Sequence, residues 1–378
     1  MPEIYLDHSA TTAVLPEAAA RAAYMMTECY GNPSSLHTLG LRAEQELQSA
    51  RTAVAAVVGA PPEALYFTSG GTEANNLAIL GGAAAKQRRG RHIVTSQLEH
   101  PSVLAACKRL EEQGFEVTYV APAADGHLEP DTVLEACRAD TVLISLMTVN
   151  NETGARLELD TLLPQLRRRS PEALLHTDAV QAAGKLPLSV SRLPVDLLSF
   201  SGHKLRAPKG VGALYVRKGV HLVPPAALGG GQERGLRSGT EALPAIAAFG
   251  EASRHLPTPK EFLAHTERLR THLQEAAAPL GAVFHLPAGG VPYIVSFSLP
   301  GMRSETLLHF LAARGIYVSA GSACAKGHRS HVLSAMKLPD AEITSALRVS
   351  FGYENTAAEI DALCEALHEA QTTLFHRA

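Results

Sequence analysis

Two side chains in this sequence stand where a nucleophile is useful. Lys204 closes the motif Ser199-Phe200-Ser201-Gly202-His203-Lys204, directly after the apolar run 195–200, and apolar sequence resumes over 211–216. That order predicts a buried strand, a turn carrying the lysine, and a second strand. A lysine at a strand end among Gly, His and Ser is suited to act as an amine nucleophile, although an ordinary hairpin lysine shares the local pattern. Cys324 lies in Ala320-Gly321-Ser322-Ala323-Cys324-Ala325-Lys326-Gly327-His328-Arg329. The small neighbours predict a loop, and the basic residues that follow favour a nucleophilic thiolate.

Two further stretches give these groups a setting. In Tyr66-Phe67-Thr68-Ser69-Gly70-Gly71-Thr72-Glu73 a strand runs into a Gly-Gly turn and then helical sequence. Free backbone N–H groups and hydroxyls gather at such a junction, a seat for phosphate. Alone, Thr72 reads better as a helix N-cap and Gly71 as a turn residue. The motif is neither a Walker loop nor GxGxxG, which argues against a nucleotide. In His176-Thr177-Asp178-Ala179-Val180-Gln181 an acid follows an apolar strand; it either projects into a ligand crevice or caps the next helix.

A phosphate seat, a strand-end acid and a strand-end lysine in one sheet are the protein groups that hold pyridoxal 5'-phosphate. The lysine forms a Schiff base, and the acid keeps the pyridine nitrogen protonated so that the ring serves as an electron sink. His100, in Glu99-His100-Pro101-Ser102, is placed to stack on that ring and exchange protons, and Asn151 to hydrogen-bond its phenolic oxygen; in isolation each is a loop residue. Arg348 interrupts the apolar segment Ala346-Leu347-Arg348-Val349-Ser350. It needs an anionic partner, either a structural carboxylate or that of a substrate.

The elements that must position these residues follow from the apolar pattern. Residues up to about Ser35 read as an irregular arm with turns, and 36–58 as a helix stopped by Gly59-Ala60-Pro61-Pro62. Short apolar runs at 64–67, 92–95, 115–120, 142–146 and 173–176 then alternate with helical stretches at 74–89, 103–113 and 159–169. That rhythm predicts a mostly parallel sheet with helices on both faces. The alternation breaks near Gly229-Gly230-Gly231, and 243–274 is helical apart from an interruption at 257–259. The remainder, with strands near 294–299 and 347–351 and helices near 305–314 and 357–374, predicts a smaller α+β domain. The expected division is an arm over 1–15 joining the small domain, a large domain over 16–257, and a small domain over 258–378 that carries the cysteine loop.

The 378 residues, 46% apolar, can bury a large core. With 34 Lys and Arg against 37 Asp and Glu, no broad attraction to nucleic acid or an anionic membrane is expected. The sequence start lacks a signal-peptide pattern and no apolar run is long enough to span a bilayer, so the expected location is the cytoplasm. The five cysteines form no CxxC pair, which predicts neither a disulfide framework nor a structural metal site. Cys107, Cys137 and Cys364 read as small buried hydrophobes.

Taken together, the motifs resemble the cysteine desulfurases, the NifS/IscS-like branch of the class V aminotransferase group of pyridoxal-phosphate enzymes. The resemblance rests on Tyr5-Leu6-Asp7-His8-Ser9-Ala10-Thr11-Thr12, Asn32-Pro33-Ser34-Ser35, Thr68-Ser69-Gly70-Gly71-Thr72-Glu73, Glu99-His100, Val149-Asn150-Asn151-Glu152 and Asp178-Ala179-Val180-Gln181. It continues through Ser201-Gly202-His203-Lys204, Arg234-Gly235-Leu236-Arg237-Ser238-Gly239-Thr240 and Gly321-Ser322-Ala323-Cys324, and so spans nearly the whole chain. It implies the fold-type I α/β architecture, with a seven-stranded sheet in the large domain, and a homodimer in which Thr240 reaches the cofactor phosphate of the other subunit. It assigns Gly71, Thr72, Ser201 and His203 to the phosphate, Asn151 and Gln181 to the ring oxygen, and Asp178 to the ring nitrogen. Lys204, His100 and Cys324 become catalytic, and Arg348 with Asn151 binds the substrate. The implied reaction turns L-cysteine into L-alanine and a Cys324 persulfide, destined for a sulfur-acceptor protein in iron-sulfur cluster, thio-cofactor or tRNA biosynthesis. One departure stands out: only residues 325–330 separate Cys324 from His331-Val332-Leu333, where many members have a longer stretch. The alternatives are another class V enzyme, such as a selenocysteine lyase or an aminotransferase, and a non-catalytic assembly scaffold.

Overall fold

In the computed structural model, residues 3–224, 228–320 and 329–374 are described. The chain begins with β1 (Ile4–Tyr5), α1 (Pro16–Thr27), α2 (Thr38–Ala56), β2 (Leu65–Thr68), α3 (Gly71–Lys86) and β3 (His92–Ser96). It continues through α4 (Pro101–Glu111), β4 (Glu116–Val120), α5 (Pro130–Glu135), β5 (Thr141–Ser145), α6 (Leu159–Arg169), β6 (Leu174–Asp178), β7 (Leu197–Ser201) and β8 (Gly212–Val216). Then come α7 (Leu243–Arg254), α8 (Pro259–Ala277), β9 (Val283–His285), β10 (Ile294–Ser298), α9 (Ser304–Ala312) and β11 (Ile316–Tyr317). The last elements are α10 (His331–Ala335), α11 (Asp340–Ser345), β12 (Ala346–Ser350) and α12 (Ala357–Leu374).

Seven strands form one sheet in the order β2-β8-β7-β6-β5-β3-β4, and β8 alone runs against the rest. β3, β5, β6, β7 and β8 are buried along their whole length. Helices cover both faces, which is why these strands read as continuous apolar runs rather than alternating ones. Their parallel arrangement brings the carboxyl ends of β2, β3, β5, β6 and β7 to one edge. In an open sheet of this kind that edge is where ligands bind.

A second, three-stranded antiparallel sheet has the order β12-β10-β9, and β1 pairs in parallel with β11. Val295, Phe297, Leu347 and Val349 from these strands share an apolar cluster with Leu273, Ile360 and Leu367 from α8 and α12. α8 is started by a capping box: Thr258 accepts from the Glu261 backbone, Glu261 accepts from the Thr258 N–H, and Pro259 takes the first turn, where its missing N–H costs nothing.

Residues before Ser35 are not the irregular arm the sequence suggests, because α1 occupies Pro16–Thr27. Pro16 stands at the first helical position, where proline is tolerated, and Ala-rich sequence follows it. No described helix is long and apolar enough to cross a membrane. Cys29, Cys107, Cys137 and Cys364 are all buried, and burial pushes the Cys107 thiol up to about 12.

The segment 229–240 is clamped onto β2 by a buried ion pair. Arg51 grips Glu233 through two hydrogen bonds of 2.9 and 2.7 Å, and the Phe67 N–H donates to the same carboxylate at 2.9 Å. A bidentate pair this well satisfied is costly to break, about 3–5 kcal/mol.

β8 meets the turn before α3 at Gly212. A Cβ built there would fall 2.6 Å from both Gly70 Cα and the Gly70 carbonyl carbon, and 2.9 Å from the Phe200 oxygen. Gly212→Ala therefore forces one backbone away from another. We expect a loss of about 2 kcal/mol in unfolding free energy by denaturant titration; wild-type stability would show that the turn can give way.

Candidate active site

Lys204 leaves β7 on a short 3-10 turn, Gly202–Lys204. It is only 9% exposed, and its Nζ donates to the Ser9 and Ala10 carbonyls, the latter at 2.6 Å. No carboxylate among the described residues forms an ion pair with it. Burial, helped by the nearby Lys185 charge, brings the amine down from 10.5 to about 7. A lysine in this state carries a substantial neutral, nucleophilic fraction at physiological pH.

Around it lies a cavity of about 580 Å³. Gly71, Thr72, His100, Asn151, Asp178, Gln181, Ser201, His203 and Arg348 line it together with Lys204. Thr240 is exposed on the clamped 229–240 segment, away from this cavity. Cys324 lies outside the described residues.

Thr72 is not an N-cap: the capping position of α3 is Gly70, with no side-chain cap, and the helix starts at Gly71. The free N–H groups of this 16-residue helix thus face the cavity edge without a side chain to quench them. A Cβ on Gly71 would strike Val180 at 2.7 Å, so glycine keeps this corner open. Beside the same corner, Ser201 Oγ, 3.9 Å from a Cβ built on Gly70, is buried without a partner among the described residues. His203 contacts Thr11 Oγ1 at 3.2 Å, and burial beside Lys204 lowers its ring to about 4.

Asp178 ends β6 with both carboxylate oxygens engaged. One accepts from the Val180 N–H at 2.9 Å, closing a tight turn rather than capping a helix, and the other accepts from Asn75 Nδ2 at 2.7 Å. Asn75 also donates to Ser102 Oγ at 2.9 Å, and the Ser102 hydroxyl lies 2.8 Å from His100 Nδ1. The Ser102 backbone N–H donates to that same nitrogen at 3.2 Å. Two donors on Nδ1 place the proton of the neutral ring on Nε2. Burial favours this neutral form, drawing the His100 pKa down.

Gln181 donates to the Ser9 carbonyl at 3.0 Å and leaves its buried Oε1 without a partner among the described residues. Arg348, 1% exposed, donates to the Asn151 carbonyl at 2.9 Å and to Asp7 Oδ1 at 2.7 Å. It therefore has a structural carboxylate. Its Nε remains buried and unpartnered among the described residues, so the guanidinium keeps N–H capacity for a second anion.

Sequence reasoning overlooked Asn75, Ser102, Glu152 and the Ser9 and Ala10 carbonyls, all of which line the cavity or hold its walls. Asn75 was within reach, one helical turn after the Gly-Gly motif and facing the same way. A main-chain carbonyl carries no sequence signal at all.

Glu99 is a further buried acid at this edge. Its Oε1 accepts from the Ser96 hydroxyl at 2.6 Å and the Met147 N–H at 3.0 Å, while Oε2 has no partner among the described residues. Burial raises its pKa from 4.5 to about 8, so it is protonated at neutral pH. Because the folded-state value is the higher one, its stabilising contribution is full below pH 4.5 and is lost as pH rises to about 8. Measured against Glu99→Gln, wild-type unfolding free energy should fall across this interval; a rise would contradict the assignment.

Comparison with known proteins places the chain in a family. The aminotransferase class-V family profile matches residues 4–363. The cysteine desulfurase IscS of Serratia proteamaculans is 42% identical over 95% of this chain and 90% of its own. A solved structure described as a NifS-like protein superposes with a TM-score of 0.92 at 36% identity, covering 98% of this chain and all of its own. A second, described as SspA in complex with cysteine, gives 0.81 at 34% identity over 92% and 98% of the two chains. The chain belongs to the aminotransferase class-V family and, within it, to the NifS/IscS-like cysteine desulfurases.

Proposed function

We propose that the protein removes sulfur from L-cysteine, releasing L-alanine and leaving a persulfide on Cys324. The observation that carries this reading is the buried Lys204 amine, near neutrality at about pH 7, in the same cavity as Asp178 and Arg348.

Pyridoxal 5'-phosphate fits the donor set. Gly71 and Thr72 at the start of α3, with Ser201 Oγ, unpartnered among the described residues, and His203, would take the phosphate. Asp178 would take the pyridine nitrogen, and Asn151 and Gln181 would face the ring oxygen. When bound, this cofactor supplies an electron sink that makes the Cα proton and the carbon–sulfur bond of an amino acid labile.

The remaining work falls to the chain. Arg348, its plane fixed by Asp7 and the Asn151 carbonyl, orients the substrate carboxylate through its free N–H groups. The neutral Lys204 amine accepts the Cα proton, and His100, protonated on Nε2 and steadied by Ser102, is a second proton carrier. Cys324 thiolate bonds to the substrate sulfur as the carbon–sulfur bond breaks, and a proton takes the place of sulfur on the carbon that leaves as alanine.

The same reading includes a homodimer, the division into an arm and two domains at 15 and 257, a cytoplasmic location and a sulfur-acceptor protein as partner. For the dimer, Met26, Tyr30, Leu36 and Leu41 are exposed on and between α1 and α2, an apolar surface suited to a second copy. Thr240, exposed on its clamped segment, would then reach the phosphate of the other subunit.

Purified enzyme given L-cysteine should form alanine and a persulfide mapped by mass spectrometry to Cys324. Cys324→Ala should lose the persulfide and slow sulfide release by about 1,000-fold or more. Sulfide release at the wild-type rate by that variant would contradict the nucleophile assignment.

A further inference from the structure

Lys204 also lines a second cavity, of about 320 Å³, on the side of the turn that carries Lys185. Lys185 is 8% exposed. Burial alone accounts for the fall of its amine to about 8, and Nζ stands 5.2 Å from the centre of the Tyr293 ring. Two more nitrogen groups in the cavity wall are buried without partners among the described residues: His8 Nε2 and Arg206 Nε. The His8 ring occupies its place because residue 352 is glycine; a Cβ there would fall 2.5 Å from His8 Cε1 and 2.7 Å from Nδ1.

Neither carboxylate in the wall is ion-paired with Lys185. Glu261 accepts from Thr258 in the α8 capping box, and the exposed Glu354 lies beside the His8 ring, its Oε2 2.9 Å from the same built Cβ on Gly352. Lys204 Nζ is turned to the Ser9 and Ala10 carbonyls, so the wall has no net excess of positive charge, but the Lys185 ammonium has no carboxylate in ion-pair contact among the described residues. A buried ammonium without a carboxylate is costly, and an anion entering the cavity would relieve that cost. Phe262, Phe351 and Pro257 supply an apolar part of the wall, beside Thr12, His255 and Tyr353. At about 30 Å³ per non-hydrogen group, taking liquid water as the yardstick, the space suits a ligand of roughly ten such atoms.

We propose that this second cavity binds a small carboxylate with an apolar body, its charge on Lys185 and its body against Phe262 and Phe351. The site is distinct from the carboxylate site at Arg348, and it stands whether or not the larger cavity takes L-cysteine.

Holoenzyme is titrated by calorimetry with benzoate, with its neutral analogue benzyl alcohol, and with inorganic phosphate. Benzoate should bind saturably, benzyl alcohol should not bind, and phosphate should bind more weakly than benzoate. Lys185→Met should weaken benzoate binding at least about tenfold, equivalent to about 1.4 kcal/mol, whereas Arg348→Met should leave it unchanged. Absence of saturable binding, equal binding by Lys185→Met, or tighter binding of phosphate would overturn the proposal. Loss of binding in Arg348→Met would do so too, by placing benzoate in the larger cavity. If Lys185→Met does not fold, magnetisation transfer between benzoate and isotope-labelled phenylalanine in wild-type protein decides: contacts to Phe262 and Phe351 support the site, and their absence removes it.

Discussion

Lys204 Nζ is held out of water by two main-chain carbonyls, with no carboxylate in ion-pair contact among the described residues. Carbonyl dipoles stabilise an ammonium less than a carboxylate does, so burial dominates and the amine approaches neutrality. To supply those carbonyls, the chain threads residues 7–12 between two sheets. The Thr12 N–H donates to the His203 carbonyl and the Ser9 N–H to Ser350 Oγ, at 2.9 and 2.8 Å. On the way Asp7 meets Arg348, and the Ser9 carbonyl receives Gln181. One short segment therefore touches the lysine, the arginine and the cavity glutamine, and displacing it would disturb all three.

The acids at the same edge are treated differently from one another. Asp178 receives a donor on each oxygen, an arrangement suited to a carboxylate. Glu99, buried with one oxygen left unpartnered among the described residues, is held neutral. Glu152 is likewise raised by burial, to about 7, although Ser330 donates to it. That Ser330 contact ties the start of α10 to the loop after β5, beside the stretch that contains Cys324. Arg348 is ion-paired with Asp7, and Lys204 approaches neutrality in the same cavity as Asp178. Such a field is adapted to bind a zwitterionic amino acid and to move its proton.

The sequence revealed the sheet because buried parallel strands must be apolar on both faces; 141–145 and 197–201 announce themselves in this way. It also revealed the chemistry carried by side chains at strand ends, since Asp178, Lys204 and the Gly70-Gly71 turn stand where apolar runs stop. α1 was hidden behind Pro16, a turn signal that in fact occupies a helical first turn. β9 was hidden because its exposed Val283 gives a three-residue edge strand little apolar pattern. The pairing of Asp7 with Arg348 spans 341 residues, and local periodicity says nothing about such distances. The chain of contacts from Asp178 through Asn75 and Ser102 to His100 was unreadable for a similar reason, because three different elements supply its members.

The central claim is that Lys204 is the amine on which the cofactor is held. Borohydride treatment of the purified protein, followed by proteolysis and peptide mass mapping, tests this directly. The account predicts a pyridoxal-phosphate mass increment on the peptide containing Lys204, and on no peptide containing Lys185. An increment at Lys185, or no increment anywhere after reconstitution with the cofactor, would contradict it.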